Sequence, residues 1–283
     1  MIRTMRRSRI LLFVVLVSMV ALVAAGCGKS DSSSGQQDSQ ALSGSIQVAG
    51  STSVQPLSEE LASAFSAKNP DVQVDVAGGG SSAGIKAAQE GTADIGASSR
   101  ELKPEETGLE ATVIAKDGIA IIVNPANQVS ELTLDQAKKI YTGQIKNWKE
   151  VNGKDAPIAL VTREEGSGTR GAFEELVLGK DVKIDNSKAI VQGSTGAVRT
   201  AVENDPNAIG YISMGSLNQK VKAVKIEGVD PTEPNVLNGS YKISRPFLYL
   251  TKGKPEALAK AFIDFVLSPE GQKVVGEEFV PVK

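Results

Sequence analysis

The sequence contains no histidine, a single cysteine and few aromatic residues, and each shortage excludes a class of function. Without histidine the chain has no Ser-His-Asp triad, no Cys-His dyad and no HExxH zinc motif. One cysteine excludes an internal disulfide and a zinc site built from several thiolates. Aromatic residues make up 4% of the chain and its net charge is −2, so nucleic acid is not expected as a partner. The function classes that remain are a binding protein and an enzyme that works without histidine. We expect no cofactor and no metal.

The 283 residues are enough for one large domain or two medium ones with a sizeable core. The 28 glycines exceed the usual share, which indicates many turns or close backbone approaches.

The first residues have the composition of a secretory signal. Four arginines and no acid precede an apolar run over 10–23, and Ala24, Ala25 and Gly26 lead to Cys27. A run of roughly fourteen residues is short for a membrane-spanning helix, which needs about twenty. One interpretation is a signal peptide or signal anchor followed by an incidental cysteine. We favour another, a signal peptide over 1–26 with lipid (palmitate) on Cys27, because the only cysteine directly follows the small residues.

This segment resembles a bacterial lipobox, although Ala24 stands where lipoboxes usually carry Leu. Ser, Gly, Gln and Asp dominate the next residues, so a flexible tether is predicted over 27–44. Removal of residues 1–26 takes away four positive charges and no negative one, which leaves a net charge of −6.

Short β-rich runs alternate with amphipathic helical stretches over the remaining residues. The predicted strands cover 46–49, 72–76, 93–96, 118–123, 157–162, 189–192, 209–213, 221–226 and 246–251. The predicted helices cover 56–68, 83–89, 169–178, 196–204 and 256–267, with further helices starting at the capping box of Thr133 and Gln136 and at Ser268-Pro269. This alternation predicts an α/β fold with largely parallel sheets. Periodicity leaves open whether there is one sheet or two lobes.

Three turns rich in glycine and serine link a strand to a helix, over 50–53, 78–82 and 163–169. Each places backbone N–H groups, hydroxyls and the positive end of a helix dipole at the carboxyl end of a strand. This arrangement suits an anion. Such residues are also ordinary helix caps, so any one turn alone has a purely structural interpretation. The similar turn at 193–196 is interpreted as structural.

The third turn is the most specific, because Arg163 lies four residues before Ser167 and an arginine fork can bind two oxygens of an anion. The turns match neither a Walker A loop nor a GxGxxG fingerprint.

Five segments in order closely resemble the family of phosphate-binding proteins of bacterial ABC-type phosphate importers. They are GSTSVQP, GGGSSAG, ADIGASSR, REEGSGTR and AIGYISMG, which begin at Gly50, Gly78, Ala93, Arg163 and Ala208. The resemblance implies a type II periplasmic-binding-protein fold, an α/β fold with two α/β lobes on a hinge and the anion site in the cleft. Lobe 1 would comprise 45–120 plus 223–283, and lobe 2 would comprise 121–222.

The resemblance also implies which residues bind phosphate. Its motifs carry over onto Thr52, Ser53, Ser81, Ser99, Arg163, Ser167, Gly168 and Thr169. A second tier comprises Ser51, Ser82, Arg100 and Glu165. In this tier Glu165 is expected to orient Arg163, whereas Arg100 either strengthens the positive field or faces solvent.

One position departs from well-studied relatives, which carry an Asp where this chain has Ser99. That Asp accepts the proton of hydrogen phosphate and explains why sulfate is rejected. Shorter Gram-positive members carry Ser-Ser-Arg here, so the departure indicates a subgroup.

The function implied is an extracytoplasmic lipoprotein, not an enzyme, that captures phosphate and delivers it to an ABC permease. Its partners would be phosphate, the permease and ATPase subunits of the importer, and the membrane, which it would contact through the lipid anchor. The protein would be a monomer in a Gram-positive cell. The alternatives are the same scaffold binding sulfate, molybdate or tungstate, and a phosphate sensor or adhesin without a transport role. A serine hydrolase using Ser167 or Ser81 lacks a base, since no Ser-x-x-Lys occurs near either serine.

Overall fold

A computed structural model describes residues 42–282, in which strands and helices alternate. The strands are β1 (Gly44–Gly50), β2 (Val72–Gly78), β3 (Ile95–Ser98), β4 (Leu109–Val123), β5 (Glu131–Leu132), β6 (Ala159–Arg163), β7 (Ile190–Gln192), β8 (Ala208–Ser213), β9 (Lys222–Ala223), β10 (Lys225–Ile226) and β11 (Ser244–Lys252). The helices are α1 (Gln55–Lys68), α2 (Ser81–Glu90), α3 (Leu134–Tyr141), α4 (Gly168–Phe173), α5 (Thr195–Asn204), α6 (Glu233–Leu237), α7 (Ala257–Val266) and α8 (Pro269–Val275). A π-helical turn, Glu174–Leu178, continues α4 directly.

Eight strands follow one another in the order β2-β1-β3-β11-β4-β8-β6-β7, with β9 also paired to β4. The two ends of this sheet are parallel, at β2-β1-β3 and at β8-β6-β7. The middle is antiparallel, because β11 pairs with β3 and β4 and β4 pairs with β8. The prediction of largely parallel sheets is therefore wrong for the centre. There, the long β4 and the returning β11 run in opposite directions.

Two main hydrophobic cores lie along the sheet. The first core is built by two segments that are far apart in sequence, one from Ile46 to Ala115 and one from Phe247 to Phe279. The second core is built by the residues between them, from Ile119 to Ile243, together with Val280. A smaller cluster lies beside each core (at Ile85 and at Val198, respectively).

Glycines allow α2 to lie directly against the strands at the carboxyl end of β1. A Cβ on Gly84 would lie 2.5 Å from the carbonyl oxygen of Ala49 and 2.6 Å from the Cα of Gly50. The backbones therefore touch, and a larger residue would push the amino-terminal end of α2 away from the turn after β1.

Most predicted elements are confirmed, with ends displaced by one to a few residues. The capping box is present, since the hydroxyl of Thr133 accepts from Gln136 N and the Gln136 side chain accepts from Thr133 N. The run at 118–123 is buried as expected, but it is only the end of the fifteen-residue β4. The predicted strand at 221–226 divides into β9 and β10, and α6 was not predicted.

Cys27, the signal peptide and nearly all of the predicted tether lie outside the described residues. Over residues 42–282, none of the helices combines the length and the apolar character that a membrane crossing requires.

Candidate anion-binding site

Hydroxyl groups from the ends of β1, β2 and β3 meet in the interior. The hydroxyl of Ser51 donates to the Oγ of Ser99 at 2.9 Å, and the hydroxyls of Ser99 and Ser81 lie 3.3 Å apart. The Ser99 N–H also donates to Ser81 Oγ at 3.0 Å. All three side chains are at most 3% exposed. These contacts exist because three parallel strands end at one edge of the sheet, as the turns predict.

The turns after β6 and β7 bring further hydroxyls to the same place. The hydroxyl of Ser53 lies 2.7 Å from that of Thr169 and 2.9 Å from that of Thr195. The Oγ1 of Thr52 accepts from the Thr195 N–H at 3.2 Å. Residues of a segment that builds the first core therefore contact residues of the segment that builds the second core. We call the seven hydroxyl residues together the hydroxyl cluster: Ser51, Thr52, Ser53, Ser81, Ser99, Thr169 and Thr195.

Gly168 lies between the two sides of the hydroxyl cluster. A Cβ at this position would lie 2.1 Å from Ser81 Oγ and 2.7 Å from Ser99 Oγ. Gly168 is the first residue of α4, whose first N–H groups have no acceptor inside their own helix. Glycine thus permits a close approach of the α4 backbone to the hydroxyls.

Arg163 supplies the positive charge of the site. Its side chain is 2% exposed, and its Nη1 lies 3.3 Å from the Oγ1 of Thr195. Its Nε and Nη2 donate to the two carboxylate oxygens of Glu164 at 2.8 and 2.7 Å. Because this fork is planar and doubly bonded, the guanidinium has one orientation, with Nη1 directed at the hydroxyl cluster.

The acid that orients Arg163 is Glu164, and the expectation for Glu165 is wrong. The Glu165 side chain is 84% exposed and pairs with Arg170 at 3.0 Å. Two adjacent glutamates point in different directions here. Only the path of the chain after β6 decides which of them reaches the arginine.

Of the other second-tier residues, Ser51 belongs to the hydroxyl cluster, but Ser82 and Arg100 lie beside it. Both Nη atoms of Arg100 donate to the carboxylate of Glu106 at 2.7 Å, and its Nη2 lies 3.3 Å from Ser82 Oγ. Arg100 is 8% exposed, so it does not face solvent, and its guanidinium binds Glu106 rather than the hydroxyl cluster.

The Ser167 hydroxyl caps α4, accepting from the Arg170 N–H at 3.2 Å. Ser167 also lines a cavity of about 520 Å³, together with Ser82, Arg100 and Arg170.

Thr195 is a site residue that the sequence interpretation missed. Its turn, 193–196, has the same glycine–serine pattern as the other three, but its interpretation as structural left Thr195 out of the expected site. Ser194 does cap α5, since its hydroxyl accepts from the Ala197 N–H. The next hydroxyl, on Thr195, points instead into the hydroxyl cluster.

Tyr211 supports the site from the second core. Its hydroxyl lies 2.8 Å from Thr162 Oγ1 and accepts from the Arg163 N–H at 3.3 Å. Burial raises the pKa of Tyr211 to about 12, although these hydrogen bonds partly oppose the shift. The phenol therefore stays protonated at neutral pH and fixes the end of β6.

Neither of the two serines considered as nucleophiles has a general base beside it among residues 42–282. Ser81 contacts Ser99, Ser167 serves as a helix cap, and neither hydroxyl has a lysine or carboxylate partner. A nucleophilic serine needs such a base.

Comparisons with known proteins agree on one family. Residues 35–270 match the family model described as PBP superfamily domain. A phosphate-binding protein PstS of Bacillus subtilis is 35% identical over 292 residues, which cover 98% of this chain and 95% of that protein.

Two solved structures extend the comparison. A protein of Clostridium perfringens, assigned as a phosphate ABC transporter substrate-binding protein and solved with bound phosphate, is 48% identical with a TM-score of 0.82. The match covers 85% of this chain and all of that one. An ABC-type phosphate transport receptor of Vibrio cholerae is 40% identical with a TM-score of 0.70, over 83% of this chain and all of that one.

Proposed function

The chain belongs to the PstS family of phosphate-binding proteins within the PBP superfamily, and from this premise we propose that it captures inorganic phosphate outside the cytoplasm and delivers it to an ABC permease. The observation that carries the proposal is the hydroxyl cluster, six of whose seven residues are buried, with the oriented guanidinium of Arg163 beside it. Hydroxyls both donate and accept, so the cluster suits an oxyanion that carries a proton.

The proposed phosphate ligands come from both sides of the hydroxyl cluster. They are Thr52, Ser53, Ser81, Ser99, Arg163, Ser167, Gly168 and Thr169, together with Ser51 from the second tier and, in addition to the sequence expectation, Thr195. The side chains would supply hydroxyl donors and one guanidinium, while the start of α4 would supply N–H groups. A bound anion would replace the direct contacts between hydroxyls, such as the one between Ser53 and Thr169.

The two cores support a capture mechanism with two lobes and a hinge. Residues 224–243 pack in the second core, so the proposed return to lobe 1 lies near Ser244 and not at residue 223. In an open state the anion would contact hydroxyls of one lobe only. In the closed state it would contact both, and this difference in contacts would shift the population toward closure.

The identity of the anion is tested by titrating ligand-free protein with phosphate, sulfate, molybdate and tungstate in a calorimeter. We expect phosphate to bind most tightly, because hydrogen phosphate can donate its proton to a serine or threonine oxygen and sulfate has no proton to donate. Ser99 offers no charge to repel a fully deprotonated anion, so selectivity would depend on the whole hydroxyl cluster. Equal affinities for sulfate and phosphate would overturn the assignment.

We also propose that the protein has no catalytic activity. We further propose that a lipid is attached at Cys27 and anchors the protein on the extracytoplasmic face of the membrane. Support for the anchor comes from the sequence alone: basic residues, an apolar run and small residues directly before the only cysteine. Several acyl chains, at about 0.8 kcal/mol per buried CH₂, would hold the protein stably at a membrane. Labelled palmitate should enter the wild-type protein and not the Cys27→Ser variant.

A transport role is distinguished from that of a sensor or adhesin by phosphate uptake after deletion. We expect cells without this protein to grow poorly at limiting phosphate. Unchanged uptake would favour a sensor or adhesin that has kept the fold.

A further inference from the structure

A buried ion pair lies where the chain crosses between the two cores. On β4, Ala115 packs in the first core and Ile119 in the second, and Asp117 lies between them. Ile243, the residue directly before β11, packs in the second core, and Phe247 of β11 packs in the first. Arg245 lies between these two and is directly paired with Asp117 across the antiparallel strands.

The pair is fully enclosed and well bonded. The Asp117 side chain is 0% exposed and that of Arg245 is 2% exposed. The Nε and Nη2 of Arg245 donate to Asp117 Oδ2 at 3.0 and 2.9 Å. The other oxygen, Oδ1, accepts from the Ser213 hydroxyl at 2.8 Å and from the Met214 N–H at 3.2 Å.

One arm of the guanidinium leaves the pair and reaches the site. The Nη1 of Arg245 donates to the backbone carbonyl of Ser99 at 3.1 Å. Ser99 carries one of the hydroxyls of the cluster, and its N–H donates to Ser81. The crossing point between the cores and the hydroxyl cluster are therefore joined by a single side chain.

The charge of Arg245 also acts on the site. Burial lowers the pKa of Arg245, Asp117 opposes this, and the positive charge of Arg163 adds to the lowering. The two guanidiniums therefore repel each other. An anion bound near Arg163 would relieve this repulsion, since opposite charges attract strongly where water is excluded.

We infer that Arg245, held by Asp117, is a positioning residue for anion capture that sets the backbone at Ser99 from the crossing point between the cores. The inference rests on the proposed function. A guanidinium that donates two hydrogen bonds to a carboxylate and a third to a carbonyl is held in one orientation. Any rotation of the two cores about β4 and β11 would move this fork, and with it the Ser99 hydroxyl.

The test removes both charges together, in an Asp117→Leu/Arg245→Met double variant. Replacing both members with apolar residues avoids leaving one charge buried and alone, so the protein should still fold. We expect a melting temperature close to that of the wild type and phosphate binding at least tenfold weaker by calorimetry. Amide hydrogen exchange should become faster at residues 98–100.

The matched control is the Ser58→Ala/Tyr249→Phe double variant. It removes another buried polar contact of β11, the 2.7 Å hydrogen bond from the Tyr249 hydroxyl to Ser58, and this bond involves no member of the hydroxyl cluster. Its affinity for phosphate should equal that of the wild type. Wild-type affinity in the folded Asp117→Leu/Arg245→Met variant would overturn the positioning role.

If the Asp117→Leu/Arg245→Met variant does not fold, the Arg245→Lys variant tests the positioning role instead. Lysine keeps the positive charge beside Asp117 but lacks the fork that reaches Ser99. We expect phosphate binding at least threefold weaker, and wild-type affinity would overturn the inference. If the wild-type protein itself does not bind phosphate, the proposed function fails, and this result is distinct from both outcomes.

Discussion

The carboxylate of Glu164 holds the guanidinium of Arg163 through two hydrogen bonds, of 2.7 and 2.8 Å. The arginine is buried, whereas 31% of the glutamate side chain is exposed. The charged pair therefore spans the distance from the solvent to the hydroxyl cluster. One nitrogen of the guanidinium, Nη1, remains directed at that cluster.

Exchanging the two adjacent glutamates for glutamine should separate their roles. Glu164→Gln loses one of the two acceptors that orient Arg163, so phosphate binding should weaken several-fold in a calorimetric titration. Glu165→Gln is the matched control, because its exposed side chain pairs with Arg170 and not with Arg163, so this change should leave affinity unchanged. The reverse ranking would assign the orienting role to Glu165.

Arg163→Ala should weaken phosphate binding by about 2 kcal/mol or more, roughly thirtyfold, because a buried anion loses its paired charge. Lys260→Ala on α7 makes the same change in net charge at a 61% exposed side chain and should bind normally. Calorimetry at one ionic strength compares the two. Equal affinities would remove Arg163 from the site.

Gly168→Ala should reduce phosphate binding at least tenfold. The new Cβ would lie 2.8 Å from Ser81 Cβ and closer still to two hydroxyl oxygens, so the two sides of the hydroxyl cluster must separate. Gly196→Ala changes a glycine in the first turn of α5, where the nearest atom is 4.0 Å away. This control should bind as tightly as the wild type, and similar losses in both variants would contradict the packing argument.

Thr195→Val should lower affinity for phosphate by about tenfold, because it replaces a buried hydroxyl with a methyl group of the same shape. Thr200→Val makes the same change at an exposed position of α5. Thermal melting of both variants checks that the loss does not come from unfolding. Full affinity in Thr195→Val would return the 193–196 turn to a purely structural role.

Stability at acidic pH should depend on Glu174. Burial alone would raise its pKa, but hydrogen bonds from Lys183 and Arg170 outweigh burial and hold the pKa of this carboxyl below the usual range. Its stabilising contribution is therefore complete above the usual glutamate pKa, about 4.3, and is lost as the pH falls through the lower native value.

The melting temperatures of the wild type and of Glu174→Gln provide the measurement for Glu174. The variant should melt below the wild type at pH 7, and the two curves should converge toward pH 3. A constant difference between pH 7 and pH 3 would show that this carboxyl does not contribute through its charge.

Most elements of the fold were predictable because their signals are local. The helix from Thr133 begins at a capping box, and the end of β4 over 118–123 is a continuous apolar run, so neither signal depends on distant residues. The antiparallel pairing of β4 with β11 was not predictable, because it joins segments more than a hundred residues apart. The packing of residues such as Val224, Val236 and Tyr241 in the second core likewise depends on contacts between distant segments.

The sequence by itself determined the kinds of group available to the site: hydroxyls and glycines at strand ends, one arginine before a glycine–serine turn, and no imidazole. These are properties of composition and short-range order. Only the tertiary structure decided which of several residues of the same type contact one another at the site. It selected Glu164 over Glu165, added Thr195 and turned Arg100 toward Glu106. The reason is physical: a side chain's partner depends on where distant strands end, and adjacent residues of the same type leave a turn in different directions.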